Sequence, residues 1–257
     1  QRFGNHRNNH LLGRALARND AEEFMDEFLG RPSAEFDSPA VFQARSLYEQ
    51  GQYEEAIQNW PYQFCDQRRA LRAILAGKGK KKRGLFTVDK HLQGLFISAY
   101  QSDLFNRVLA ARLPNIDKIL LGDMAYKHDN GACFRVEQPE AEQPRCDRFE
   151  ISPTGPLIGQ RTTRLTGLAG EIENPILEAE SLGQDESSHM KRLGARGGRR
   201  PLRFQPRNTG LKSGLDDLGP YLELRFELDA GCYATTLISE ITKDRAAEIT
   251  EVTEGKE

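Results

Sequence analysis

The sequence predicts an α+β fold. A long amphipathic helix near the middle, a strand of strict alternation near the end, and a mixture of the two without regular βα repeats lead to that class. The first helical pattern runs from Leu11 to Leu29, with Leu16, Phe24, Phe28 and Leu29 on one face, and Gly30-Arg31-Pro32 ends it. Two short helices follow, Pro39 to Tyr48 and Tyr53 to Asn59, parted by Gly51. Their turn resembles that of a tetratricopeptide repeat, but no second copy follows at the spacing of that family, so the pair is read as an ordinary helical hairpin. Residues 91–113 give the longest helix: Phe96, Ile97, Tyr100, Leu104, Phe105, Val108, Leu109 and Leu113 keep the i, i+3, i+4 spacing up to Pro114. Beyond it, Asp129-Asn130-Gly131 between two short apolar runs reads as a β-hairpin. Residues 137–144, acidic and Pro-rich, are expected to loop. A short strand is expected at Phe149-Glu150-Ile151, ending before Pro153-Thr154-Gly155-Pro156. A helix is expected from Glu171 to Leu193, with a loop after it. From Tyr221 to Leu228, Leu222, Leu224, Phe226 and Leu228 alternate with Tyr221, Glu223, Arg225 and Glu227, a strand with one apolar face. A helix over Thr235 to Thr242 and a frayed tail over 244–257 close the chain.

Composition narrows the class. The 257 residues include 36 Lys+Arg and 38 Asp+Glu, 38% hydrophobic residues and 29% charged, which suits a soluble globular protein. No apolar run approaches the roughly 18–20 residues of a membrane-spanning helix. Cys65, Cys133, Cys146 and Cys232 lie far apart without a C-x-x-C pair, which fits free thiols in a reducing, cytoplasmic setting. No P-loop, G-x-S-x-G or H-E-x-x-H occurs, and nothing calls for a cofactor. His6 and His10 share i, i+4 spacing but have no third ligand, so no metal site is assigned.

The near-neutral net charge of −2 hides two basic tracts. Residues 67–88 hold Arg68, Arg69, Arg72, Lys78, Lys80, Lys81, Lys82 and Arg83 without one acid. Residues 190–215 hold Lys191, Arg192, Arg196, Arg199, Arg200, Arg203, Arg207 and Lys212, again without one. Glycines interrupt both, so both are expected to be loops. Segregated charge of this kind suits either a solvated face or a polyanionic partner.

Six blocks stand in order along the chain: Gln1-Arg2-Phe3-Gly4 with Asn9 and Gly13; Ser98 to Asn106; Gly122-Asp123 with Gly131; Ile151 to Leu157 with Gly159; Arg199-Arg200-Pro201-Leu202; and Leu224-Arg225-Phe226 through Gly231-Cys232-Tyr233-Ala234-Thr235. Together they resemble the TruD family of tRNA pseudouridine synthases. The resemblance implies isomerisation of uridine in tRNA without cofactor or metal. It implies a mixed-sheet catalytic domain, here residues 1–22 and 204–257, interrupted by an insertion domain over 23–203. It places Arg2, Phe3, Arg225, Tyr233, Ala234 and Thr235 near the uridine pocket. The arginines and lysines at 68, 69, 72, 78, 80–83, 196, 199, 200, 203 and 207 would face RNA. The family's aspartate lies in a G-x-K-D-type motif upstream of Q-R-F-G, and its Asn and stacking Phe also precede that block. None of the three is among these residues, so the chain is expected to be a C-terminal portion that binds RNA but is inactive alone. Lys243-Asp244-Arg245 resembles that motif only superficially, and Asp244 is read as a tail residue. Tyr100, Gln101 and Asn106 are expected to pack or to orient loops. The alternatives are a non-catalytic RNA-binding module or a protein-interaction scaffold built on the hairpin at 39–59. Oligomeric state is left open, with a monomer as the default.

Overall fold

The single helix expected over 11–29 is two helices, α1 (Asn9–Ala17) and α2 (Ala21–Leu29), in the computed structural model, which describes residue 4, residues 6–180 and residues 184–242. Asn19 takes a positive φ of 54°, and the Asp20 side chain accepts the Glu23 N–H at 3.0 Å as an N-cap. A left-handed residue followed by a cap restarts the helix in a new direction while the apolar spacing continues. The expected hairpin is present as α3 (Pro39–Glu49) and α4 (Tyr53–Asn59). Its Val41, Ala44, Leu47, Tyr48 and Ala56 are buried in the protein's own core.

The first basic tract is helical, not looped. α5 (Cys65–Ala76) carries Ala70, Leu71 and Ile74 inward, and α6 (Lys81–Leu85) folds back on it. Gly77 and Gly79 end α5: their N–H groups donate to the Ala73 and Ile74 carbonyls, with Lys78 and Gly79 at positive φ. These glycines mark a helix terminus, where a residue without Cβ is favoured. The long helix α7 (Lys90–Arg112) forms as expected, capped by Asp89 and followed by a 3-10 turn at Leu113–Asn115. It crosses α1 at Gly13, where a Cβ would lie 2.0 Å from the Phe96 carbonyl oxygen. Phe24, Phe28 and Phe96 pack together at this crossing, with ring centroids 5.6–6.3 Å apart.

A four-stranded antiparallel sheet lies in the same unit. β1 (Met124–Lys127) and β2 (Cys133–Arg135) are the expected hairpin. Residues 137–144 are not a loop but the start of α8 (Pro139–Asp147). Pro139 at the first helical position and Glu140 and Glu142 in the first turn are helix-start chemistry. β3 (Ile151–Leu157) runs through Pro153 and Pro156 instead of stopping before them. It pairs with β1 over 151–153 and with β4 (Gly198–Pro201) over 154–157. Because each flank is paired for only half its length, the strand tolerates two residues without an N–H. α7 crosses it at Gly155, where a Cβ would touch the Phe105 ring at 2.8 Å. A small core of Ile119, Ala125, Val136, Cys146 and Ile151 supports the sheet. The expected helix over 171–193 is again two, α9 (Gly167–Glu178) and α10 (Gln184–Arg192).

The described residues divide into two compact units, one within Arg2–Leu202 and one within Arg203–Glu257. The second is an antiparallel ribbon, β5 (Arg207–Asp216) and β6 (Gly219–Glu227), followed by α11 (Ala234–Thr242). The alternation expected in β6 is present. Leu211 lies opposite Leu224, and Leu215 and Leu222 share that face, yet all four remain exposed.

Candidate nucleic-acid interface

The first tract sorts its cations by helix geometry. Lys81 points inward: its Nζ lies 2.6 Å from Asp26 and 3.4 Å from Glu22, both on α2, and 5.9 Å from the Tyr48 ring centroid. Burial alone would lower the Lys81 pKa, but the bonds and charges of Asp26 and Glu22 outweigh it and raise it. Lys81 therefore fastens α6 to α2. Arg69 is spent on Asp66, one turn back in α5, and Arg68 is half-buried. Arg72, Lys78, Lys80, Lys82 and Arg83 are exposed. Successive residues of a helix point about 100° apart, so a Lys-Lys-Lys-Arg run cannot present every charge to one partner.

The second tract turns three of its eight cations, Arg199, Arg200 and Arg203, into the structure. Arg199 was expected to face RNA, but its side chain is 3% exposed and saturated. It donates to Glu173 at 2.6 and 2.9 Å, to the Thr154 hydroxyl and carbonyl, and to the Thr163 carbonyl. Arg200 lies 3.9 Å from the Phe105 ring centroid, a close cation–π contact. Arg203 is half-buried and Arg207 pairs with Asp229. Of this tract, Lys191, Arg192, Arg196, Arg207 and Lys212 are exposed, and Arg192 meets His189 at 3.0 Å. The expected loop is mostly structure: α10, β4 and β5 take up most of it.

One cationic cluster has no obvious mark in the sequence. Glu180, 4% exposed, accepts the Tyr100 hydroxyl at 3.0 Å and meets Arg107 at 2.9 Å, Arg14 at 3.2 Å and Arg18 at 3.5 Å. Arg14 and Arg18 are four residues apart along α1, the one sequence signal that places them on a common face. Burial, then the Glu180 charge, pushes the Tyr100 hydroxyl pKa upward, which keeps it a donor. Nearby on the same face, His10 is held below the usual histidine value, chiefly by burial. Gln101 donates to the Ile158 carbonyl at 2.6 Å and so ties α7 to the segment after β3.

In the second unit, Arg225 is exposed on β6 and lines a shallow concavity of about 410 Å³ with Asn208, Lys212, Glu223 and Glu227. Tyr233 is exposed just before α11, and Ala234 and Thr235 open that helix. Arg2, Phe3 and Asp244 lie outside the described residues. No cluster of three or more metal-ligating side chains occurs among the described residues. Nor is any described helix long and apolar enough to cross a membrane.

The architecture matches a crystal structure from Methanosarcina mazei named for tRNA pseudouridine synthase D (TruD), with a TM-score of 0.81 over 95% of this chain and 59% of that one. At 22% identity the likeness is one of fold. The sequence goes further: the family described as tRNA pseudouridine synthase D (TruD) matches residues 1–241, and the chain belongs to that family. The tRNA pseudouridine synthase D of Syntrophotalea carbinolica is 37% identical over 95% of this chain and 60% of its own length. That of Geobacter sulfurreducens is 38% identical over 95% and 58%. The chain thus spans about 60% of the length of the curated relatives it matches.

Proposed function

We propose that the chain supplies the RNA-holding part, and one piece of the catalytic domain, of an enzyme that converts uridine to pseudouridine in tRNA. The family match over residues 1–241 carries this reading. Isomerisation breaks the bond from ribose C1′ to N1, turns the uracil and rejoins it through C5. It needs an ionised carboxylate beside C1′ and a base drawn out of its stack. No G-x-K-D motif occurs in the 257 residues, so the proposal assigns that carboxylate to sequence outside them. Residues 1–22 and 204–257 belong, on this reading, to the catalytic domain, and 23–203 to the insertion. The bare leucine face of β5 and β6 supports placing 204–257 in the catalytic domain, since four exposed leucines on one face of a two-stranded ribbon are what a ribbon belonging to a larger sheet shows. Arg225, Tyr233, Ala234 and Thr235 would sit at the uridine pocket, with Arg2 and Phe3 at its wall.

Tritium release from tRNA carrying 5-tritiated uridine tests the reading. The chain alone should bind tRNA with a steep loss of affinity as salt rises and release no tritium. Fused behind the N-terminal segment of the Syntrophotalea relative, it should release tritium. Binding without release from the fusion would instead favour a non-catalytic RNA-binding module. Absence of salt-dependent tRNA binding would defeat both.

A further inference from the structure

We propose that Phe86, with Lys82 beside it, is a stacking platform for an unpaired base of the bound RNA. Phe86 is 75% exposed, far more than Phe42, the next among the exposed phenylalanines at 38%. It directly follows α6, and Lys82 Nζ lies 6.0 Å from its ring centroid. Lys80, Lys82 and Arg83 are exposed on the same short helix and its cap, and Lys78 on the turn before it. A cationic surface that tracks phosphates, interleaved with an aromatic ring that a base can cover, is the combination that holds unpaired nucleotides. A duplex cannot use such a ring, because its bases are already stacked on one another.

The mount is rigid, which stacking requires. The Phe86 N–H donates to the Lys82 carbonyl, and the Thr87 N–H and hydroxyl both donate to Gly84, at 2.9 and 2.7 Å. A Cβ at Gly84 would lie 2.8 Å from both Ile74 Cγ1 and Met25 Sδ, so α6 sits tight on α5 and α2. Lys81 pins the same turn to Asp26, and Val88 plugs into the core just beyond. Phe86 is thus held outward by its neighbours on both sides.

This inference rests on the RNA-binding reading above, and the experiment separates the two. Trp60, the one tryptophan of the chain, is 2% exposed, so a Phe86→Trp variant adds a single surface reporter. Its fluorescence is followed while tRNA, a single-stranded oligouridylate or a blunt RNA duplex is added, with anisotropy recording occupancy. Quenching by tRNA and by the oligouridylate is expected at saturation, with little from the duplex at equal occupancy. Phe86→Ala should weaken oligouridylate binding about tenfold and duplex binding hardly at all, while its urea midpoint stays that of the wild type. An unquenched Phe86→Trp together with unchanged Phe86→Ala affinity, on a chain that still binds tRNA, would overturn the platform and leave the RNA reading standing. Failure of the wild-type chain to bind any of the three RNAs at low salt would remove both.

Discussion

The two basic tracts carry the same charge but commit different shares of it to the fold. Each holds eight cations and no acid. In 67–88, a helix, a glycine turn and a second short helix leave six of the eight exposed and commit one, Lys81, to the α2 carboxylates. In 190–215, β4 carries Arg199 into a buried pair with Glu173 and sets Arg200 on Phe105. The difference lies in what surrounds each backbone. A two-turn helical edge shows most of its side chains to solvent, whereas a strand at the side of β3, under α9, shows few. Charge counted along a chain is therefore not charge offered to a partner.

The largest effect that distinguishes the tracts concerns Arg199. Replacing it by Ala strands Glu173, 1% exposed, without its cation, and should cost roughly 3–5 kcal/mol of unfolding free energy in urea. Pairing the change with Glu173→Leu should restore much of the loss. An Arg199→Ala protein of unaltered stability with weakened tRNA binding would return Arg199 to the RNA face. Next comes the outward set: Lys80→Ala, Lys82→Ala and Arg83→Ala together should weaken tRNA binding by roughly 1–3 kcal/mol at moderate salt and leave the urea midpoint unchanged. Lys81→Ala should do the reverse. Affinity is expected to hold while stability drops by about 0.5–1 kcal/mol, since the Asp26 partner is partly exposed. A tRNA affinity that fell as far for Lys81 as for its neighbours would erase the inward–outward division.

The smallest effect is a pH dependence common to the fold. His6, His10 and His189 all have pKa values held below the ordinary histidine value, in each case chiefly by burial. The unfolded chain then binds more protons than the folded one once pH drops to about 6.5 and below. Stability should therefore be level above that pH and decline on acidification through it. A His10→Asn variant should decline less steeply between pH 7 and pH 5, as urea midpoints at each pH would report.

Much of the architecture was legible because local pattern and tertiary demand agreed. α7, the hairpin of β1 and β2, the alternation of β6 and the α3–α4 pair all follow from apolar spacing and turn residues. Several misreadings share one cause: a residue type with two structural uses. Gly77 and Gly79 end a helix where they suggested a loop, and Pro139 begins one. Pro153 and Pro156 sit in a strand whose neighbours each cover only half of it. The family blocks, in turn, are largely packing joints. Gly13 lets α1 touch α7, Gly155 admits the Phe105 ring, and Gly122, at φ 85°, leaves no space for a Cβ beside the Thr166 carbonyl. The Glu180 cluster was not legible, because its cations come from residues 14, 18 and 107 and meet only in the folded chain. Nor could spacing alone tell Arg199, inside, from Arg196, outside.

The most direct test is the dependence of tRNA affinity on salt concentration, compared between the wild-type chain and the Lys80→Ala, Lys82→Ala, Arg83→Ala variant. If α6 and its cap meet phosphates, the logarithmic slope becomes shallower by about 2–3, close to one for each cation removed. Parallel lines for the two proteins would mean that this helical edge never touches the nucleic acid.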